Sequence, residues 1–494
     1  MALPRLFTSV CFFATALAAT NTTGSGVQDA CNELATLYPD LILTRNSTNY
    51  TVETTHYWEK RSNLEPLCIF QPTNADQVAS SVGIFHKHQA QFAVRGGGHM
   101  NNPGSNNIND GVLLALNGLT QLNILEDEGL VELGPGNRWE NAYSALGEVG
   151  KYMIGGRLKS IGVPGLSLIG GVHYFANKYG YAMDNVMSYD VVLGNGTQVI
   201  ANSTSNPDLF WALKGGGNNF GVVTKFVSKT YDIPKISTTI QNFNESGVPA
   251  FIKAACALAQ NDDSSVGAGA VISITYNATT KDVSASILGV QEGTESPPSK
   301  FAEFSAIPAV RSVNNVTTPP QWHANLDSPF QMFRNIYGQH AIKPDSDALY
   351  EMYREWKAAV DDISDVGGLY PTFVLNMAPR TAASVAKTNG IGNTWGLDDS
   401  ESYIWWELST GWDSSHDDLR MTYWTRSLVE RFHATNTAKN LTSEFVYMGD
   451  AADWQDVFKG FAPGNVEKMK QIRDKYDVDG VFHKLNWGGF KLGY

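Results

Sequence analysis

The 494-residue chain gathers glycine where backbone shape matters most. Arg95-Gly96-Gly97-Gly98-His99, Gly170-Gly171 and Gly215-Gly216-Gly217 fall within about 130 residues, each near a strand-like run. Glycine tolerates positive φ and lets a second backbone come close, so such turns can aim several N–H groups at an anion such as a pyrophosphate. One cluster alone is also what an ordinary tight turn looks like. The first cluster is not the dinucleotide fingerprint of a doubly wound fold, because the following Met100-Asn101-Asn102-Pro103-Gly104 reads as a loop and cannot open the required helix.

Around these turns the pattern alternates between strand and helix. Cys68-Ile69-Phe70-Gln71-Pro72 reads as a short strand closed by proline. Thr73 or Asn74 can cap the next helix, with Gln77 near capping-box spacing and Val78, Val82 and Phe85 on one face. Ala93-Val94, Val112-Leu113-Leu114, Leu130-Val131 and Tyr189-Asp190-Val191 are further strand signals, the last followed by an Asn195-Gly196 hairpin signal. Residues 207–214 read as a short helix. The texture changes after Pro234. Residues 240–435 mix helical stretches (348–360, 417–431) with aromatic strands such as Ser402-Tyr403-Ile404-Trp405-Trp406-Glu407-Leu408-Ser409, which predicts an α+β domain with one antiparallel sheet.

Composition narrows the class. A formal charge of −13 without a basic stripe excludes a nucleic-acid or anionic-membrane partner. Residues 1–18 read as an export signal: Arg5, then an apolar run of about a dozen residues, too short to span ~30 Å of hydrocarbon, then Ala16-Leu17-Ala18. Sequons at Asn46, Asn49, Asn195, Asn202, Asn244, Asn277, Asn315 and Asn440, with another at Asn21 near the cleavage site, predict a secreted glycoprotein. Cys11 leaves with the signal. Cys31, Cys68 and Cys256 then give one disulfide and one free thiol, with Cys31–Cys68 favoured because both flank the start of the first domain. No Cys/His cluster has zinc spacing, and His86 and His88, two apart on a helix, face different directions, so no metal is expected.

Four ordered segments carry a family resemblance: residues 95–99, Gly162-Val163-Pro164-Gly165-Leu166, Gly180 to Val186, and Gly215 to Thr224. They resemble the flavin-binding segments of the vanillyl-alcohol oxidase/p-cresol methylhydroxylase (PCMH-type) superfamily. The tail, from Gly464-Asn465-Val466 to Tyr476-Asp477-Val478-Asp479-Gly480-Val481-Phe482, resembles the berberine bridge enzyme-like branch and is closest to its fungal members. The resemblance runs over about residues 64–235 and 445–492. It implies a lead-in (19–63), a two-subdomain PCMH-type FAD-binding domain (64–235), a substrate domain (236–444) and a C-terminal segment (445–494) returning to the FAD domain.

The resemblance further implies FAD bonded covalently through His99. Its cradle would comprise Arg95, Gly96, Gly97, Gly98, Asn102, Gly162, Val163, Pro164, Gly165, Gly170, Gly171, Asn185, Val186, Gly221, Val222 and Val223. Many relatives carry a second, cysteinyl flavin bond; here the matching position is Leu158, so attachment is single. Pro164 replaces a usual glycine, which loses an N–H near the ring. Three places after Leu158, Ile161 occupies the position associated with dioxygen access.

Tyr403, Trp405 and Glu407 alternate along a strand expected to lie over the flavin. Glu407 is then a candidate base if burial raises its pKa; a packed Trp with a solvated Glu is the alternative. Tyr447 and Asp450 fall where relatives place active-site contacts, with Met448 between them. His173 either approaches the flavin or is structural. The resulting expectation is a monomeric oxidase passing hydride from a secondary-metabolite alcohol or amine to FAD and on to dioxygen, giving hydrogen peroxide. An oligosaccharide oxidase and a non-redox flavin-containing cyclase remain the alternatives.

Overall fold

The computed structural model describes residues 23–326 and 334–493; the export signal, Cys11 and Asn21 lie outside the described residues. The first layer is a small sheet of β1 (Ile42–Thr44), β2 (Cys68–Phe70), β3 (Phe92–Arg95) and β4 (Val112–Ala115). Its order is β1-β2-β4-β3, with β2 and β3 parallel to β4 and β1 antiparallel to β2. Strand β4 is apolar throughout and fully buried, as a strand covered on both faces must be. The helix Ala75–His88 opens with Asn74 accepting from the Gln77 N–H and closes on Gln89 in the left-handed region.

The polar lead-in is more ordered than its composition suggests. Thr23–Leu37 forms a helix that buries Val27, Ala30, Cys31 and Leu34, and Cys31 is disulfide-bonded to Cys68 of β2. The glycines that disguise this helix have a packing reason: a Cβ on Gly26 would lie 2.1 Å from the His88 carbonyl oxygen, so only glycine lets the two helices meet there. Cys256 is free and buried.

The second sheet contains β5 (Leu122–Leu125), β6 (Leu130–Leu133), β7 (Val186–Val192), β8 (Gln198–Asn202) and β9 (Val222–Lys229), ordered β5-β6-β9-β7-β8 and antiparallel. The Asn195-Gly196 turn joins β7 to β8, with Gly196 at φ +80°.

The third sheet is the antiparallel one expected of the second half. It contains β10 (Ile236–Phe243), β11 (Ala268–Asn277), β12 (Asp282–Glu292), β13 (Arg311–Thr317), β14 (Arg334–Ile342), β15 (Tyr370–Ala378), β16 (Tyr403–Trp412) and β17 (Thr442–Ser443). Their order is β13-β10-β12-β11-β15-β16-β14-β17. Helices Val248–Ala259, Ser346–Asp361 and Asp418–Ala438 bury their apolar stripes against one face, with Ile272, Ile274, Phe373, Leu375, Ile404, Trp406 and Leu408. Truncating a residue such as Trp406 to alanine costs about 3–5 kcal/mol. Strand alternation sends Val271, Val374, Trp405 and Glu407 to the other face, toward the first two sheets.

The tail closes the molecule onto its beginning. After the helix Asn465–Tyr476, Val481, Phe482 and Leu485 enter the core of the first sheet. Asn486 then pairs in parallel with Phe92, and the Trp487 N–H donates to the Phe92 carbonyl at 2.6 Å. Among the described residues no helix is long and apolar enough to cross a membrane.

Candidate active site

A cavity of about 440 Å3 lies between the glycine turns and the face of the third sheet turned toward the first two sheets. One wall is largely backbone. Gly96, Gly97, Gly98 and His99 leave β3; Gly162, Pro164 and Gly165 start the helix Val163–Leu168; Gly221, Val222 and Val223 enter β9; Asn486, Gly489 and Phe490 come from the tail. A Cβ on Gly97 would lie 2.3 Å from the Gly162 nitrogen, so these two loops touch backbone to backbone. A Cβ on Gly165 would meet nothing within 4 Å, although Gly165 lines the cavity; its missing side chain is space for a ligand.

Pro164 fits this wall for a local reason. It sits in the first turn of its helix, where the missing N–H has no helical partner to lose, and its ring occupies the space a Gly96 side chain would need. His99 lines the cavity, its ring near Trp58 at a centroid distance of 6.1 Å. Burial, reinforced by the positive charge of Arg138, pushes its pKa down to about 3. The ring hydrogen-bonds the Ser160 backbone, while Nε2 is buried with no partner among the described residues. A neutral imidazole with an orphaned nitrogen, set in a glycine cradle, fits a bound FAD.

The opposite wall is built from side chains. Glu407 on β16 lies directly across from Val374 on β15 and Gln339 on β14. Asp450 ends a turn in which its N–H donates to the Tyr447 carbonyl at 3.1 Å. Asp450 Oδ2 accepts from Asn376 Nδ2 at 2.9 Å, and Asn376 Oδ1 accepts from Arg157 Nη2 at 2.9 Å. Burial raises the Glu407 pKa well above the carboxylate range, Asp450's charge adds to this, and Arg157 opposes it. Burial also raises Asp450, against the opposing pull of Arg157 and the Asn376 hydrogen bond. The Asp450 charge acts on Glu407 across the cavity wall, so the two carboxyl groups titrate together and favour a state in which one of them is protonated. Tyr447 stacks on Trp405 (centroids 5.5 Å apart), hydrogen-bonds the Gly171 and Val172 backbone, and is kept protonated by burial.

Several expected site residues stand behind this surface rather than on it. Tyr403 shares the face of Trp405 and Glu407 but lies at the outer end of β16, half exposed and outside the cavity; the strand reaches the cavity only from Glu407 onward. Trp405 is buried between Tyr181 and Tyr447. Arg95 is buried in an ion pair with Glu53, and Asn102 donates to the Ala451 carbonyl at 3.1 Å, steadying the turn that carries Asp450. Gly170 and Gly171, at φ +115° and +87°, make room for Trp395 and Leu166. Asn185 is tied to the Tyr179 and Tyr181 carbonyls and to the Tyr231 hydroxyl, Val186 begins β7, and Val163 is packed in the core.

His173 is structural: Nδ1 accepts from the Phe175 N–H at 3.0 Å and Nε2 meets the Tyr152 hydroxyl at 2.9 Å. His86 and His88 point to Asp479 and Glu33 respectively. Leu158 and Ile161 both line the cavity. Arg157, Asn376, Tyr337 and Trp58 were not singled out from the sequence, because no spacing links residues brought together by three separate strands and loops. Only Arg157, adjacent to the expected cysteinyl position, carried any signal.

Residues 66–202 match the family described as FAD binding domain. The FAD-dependent monooxygenase prx3 of Penicillium roqueforti is 30% identical over 485 residues, covering 94% of this chain and 93% of that protein. An uncharacterized FAD-linked oxidoreductase of Arthroderma benhamiae is 32% identical over 470 residues, covering 91% and 92%. The fold matches Physcomitrella patens BBE-like 1 with a TM-score of 0.76 at 18% identity, covering 94% of this chain and 99% of that one. It matches the xylooligosaccharide oxidase from Myceliophthora thermophila C1 with a TM-score of 0.75 at 18% identity, covering 94% and 100%. Fold and site together define an FAD-dependent oxidoreductase. The chain belongs to the family of FAD-linked oxidoreductases that contains these two fungal relatives, and it shares the fold of the BBE-like protein.

Proposed function

We propose that the protein is a secreted oxidase of a small, largely apolar organic molecule bearing a hydroxyl or amine. The observation that carries this reading is the pair of acids, buried Glu407 and half-buried Asp450, on the cavity wall opposite the glycine cradle. In the proposal, Gly96, Gly97, Gly98, Gly162, Pro164, Gly165, Gly221, Val222 and Val223 hold FAD, and His99 attaches it as the single covalent link. Bound FAD would supply the two-electron acceptor for a substrate hydride, with dioxygen as the final acceptor. The protein's own part is to bind, orient and deprotonate. The Glu407–Asp450 pair, with one proton between its two carboxyl groups, accepts the substrate's O–H or N–H proton. Val271, Val374, Met448 and Phe490 shape an apolar wall that excludes water and suits a metabolite with rings better than an oligosaccharide.

Export is supported by the sequons and the disulfide. Asn46, Asn49, Asn195, Asn244, Asn277, Asn315 and Asn440 are exposed and Asn202 is half-buried, so each can be reached by a glycan.

Anaerobic mixing of the purified protein with alcohols, amines and sugars, followed by air and a peroxide assay, tests the activity. Bleaching of the flavin followed by peroxide release is expected. Bleaching with labelled oxygen in the product and no peroxide would instead indicate a monooxygenase, and product formed with the flavin still yellow would indicate a cyclase. For attachment, acid-precipitated protein should stay yellow. His99→Ala should release all flavin to the supernatant, because Leu158 offers no second nucleophile.

A further inference from the structure

Arg157 has no role in the reading above beyond its pull on the two carboxyl groups. Among the described residues lining the cavity it is the one lysine or arginine, and Glu407 and Asp450 are the two acids. Its guanidinium is fixed from two sides: Nη1 donates to the Ala270 carbonyl at 3.3 Å and Nη2 to Asn376 Oδ1 at 2.9 Å. Its backbone is fixed as well. The Phe175 N–H donates to His173 Nδ1, which leaves the His173 proton on Nε2 to donate to the Tyr152 oxygen at 2.9 Å. Tyr152 in turn donates to His323 Nε2 at 2.6 Å, and His323 Nδ1–H donates to the Arg157 carbonyl at 3.0 Å. All three rings are buried, and every donor in the run has an acceptor. So much ordering around one cationic side chain is what a preorganised electrostatic group needs.

Charge decides what such a group can serve. With one proton on the Glu407–Asp450 pair, the pair carries about −1 and Arg157 +1, so the resting site is close to neutral; His99 is neutral and Tyr447 and Tyr337 are protonated. A neutral hydroxyl compound enters without upsetting that balance. When the pair takes its proton, the O–H bond breaks, the second carboxyl group becomes neutral, and the electron pair stays on the substrate oxygen. The carboxylate charge that Arg157 was balancing has then moved onto that oxygen. An alkylammonium substrate would instead bring a second cation to a wall that already holds Arg157.

We infer that Arg157 is the oxyanion partner of the substrate and that the substrate class is a neutral hydroxyl compound rather than an amine. This rests on the oxidase reading but is tested without turnover. The probe is 4-nitrophenol, whose absorbance reports its ionisation directly, titrated into flavin-loaded protein as difference spectra. Wild-type protein should hold it as the anion at a pH where the free compound is mostly protonated, raising the anion-to-phenol ratio about tenfold or more. Arg157→Met should return that ratio to the solution value, and Arg157→Lys should retain part of the effect.

If Arg157→Met fails to fold, wild-type protein still decides. Benzyl alcohol should perturb the flavin spectrum at concentrations where benzylammonium does not. Equal or tighter binding of benzylammonium, or an anion ratio unchanged in wild type or insensitive to Arg157, would overturn the assignment. Failure of every alcohol to bleach the flavin would sink the oxidase reading and leave these binding results standing.

Discussion

On the side of the cavity formed by residues 96–99 and 162–165, position is set by main chain meeting main chain. On the side formed by β11, β14, β15 and β16, it is set by which side chains alternate inward. The first wall tolerates almost no substitution, because a Cβ on Gly97 or Gly162 would lie 2.3 or 2.5 Å from the other loop's nitrogen. The second tolerates change in shape while its strands hold register, since the helices behind the sheet anchor it through Ile404, Trp406 and Leu408. A cofactor site conserves its geometry by removing side chains. A substrate site varies by exchanging them.

The most severe way to test this contrast is Gly97→Ala. Neither the Gly97 nor the Gly162 backbone can yield, so the expected outcome is protein that purifies without flavin, read from the ratio of 450 to 280 nm absorbance. A cavity-wall change of similar size on the other side, Val374→Ala, should leave flavin content unchanged. Glu407→Gln comes next. It keeps the shape of the carboxyl group but removes its ability to take a proton, and anaerobic flavin bleaching should slow by about 10²–10⁴-fold while flavin loading stays normal.

The acid pair also predicts opposite trends for rate and stability. Asp450 has a folded-state pKa raised above its unfolded value, so the folded protein is relatively favoured at low pH and loses that advantage as pH rises through the raised value. Asp450→Asn should therefore gain melting temperature relative to wild type as pH climbs from about 4 toward neutrality. Over the same range the wild-type bleaching rate should rise as the pair ionises. A variant that tracks the wild-type melting curve at every pH would show that Asp450 is not buried as an acid.

Breaking the Cys31–Cys68 bond tests the first wall's outer support. The chain-entropy model gives roughly 3–4 kcal/mol for its loop, so Cys31→Ser should lower the denaturant midpoint without changing bleaching kinetics. The smallest expected effect is at Ile161, which lines the cavity next to Gly162. Ile161→Val should raise the rate of flavin reoxidation in air modestly and leave anaerobic bleaching untouched. If wild-type reoxidation is already as fast as that of the valine variant, this side chain does not obstruct dioxygen.

The two walls also differ in how readily they could be read before any coordinates. Gly96, Gly97 and Gly98 were legible as a contiguous turn whose glycines answer a local backbone demand, whereas His99, Gly162 and Gly165 were named only through the family resemblance of their segments. Glu407 was legible through alternation on one strand. Tyr403 was not excluded by the same pattern, because alternation gives the face a residue is on and not how far along the strand the cavity begins. Arg157 and Asn376 were out of reach. They lie 219 positions apart, and their contact exists only because β15 comes beside the loop that follows Tyr152.

By itself, then, the sequence determined most of the elements, the α+β class, the glycine-rich turns and the strand face that carries Glu407. These depend on local φ/ψ preferences and on periodicity, both of which act over a few neighbouring residues. Tertiary structure alone decided that Glu407, Asp450, Asn376 and Arg157 form one charged group. It also turned Gly170, Gly171 and Asn185 into supports behind the surface, and let the tail reach back to Phe92. Burial and pairing between distant segments are properties of the packed molecule, because the dielectric around a carboxylate is set by everything that excludes water from it.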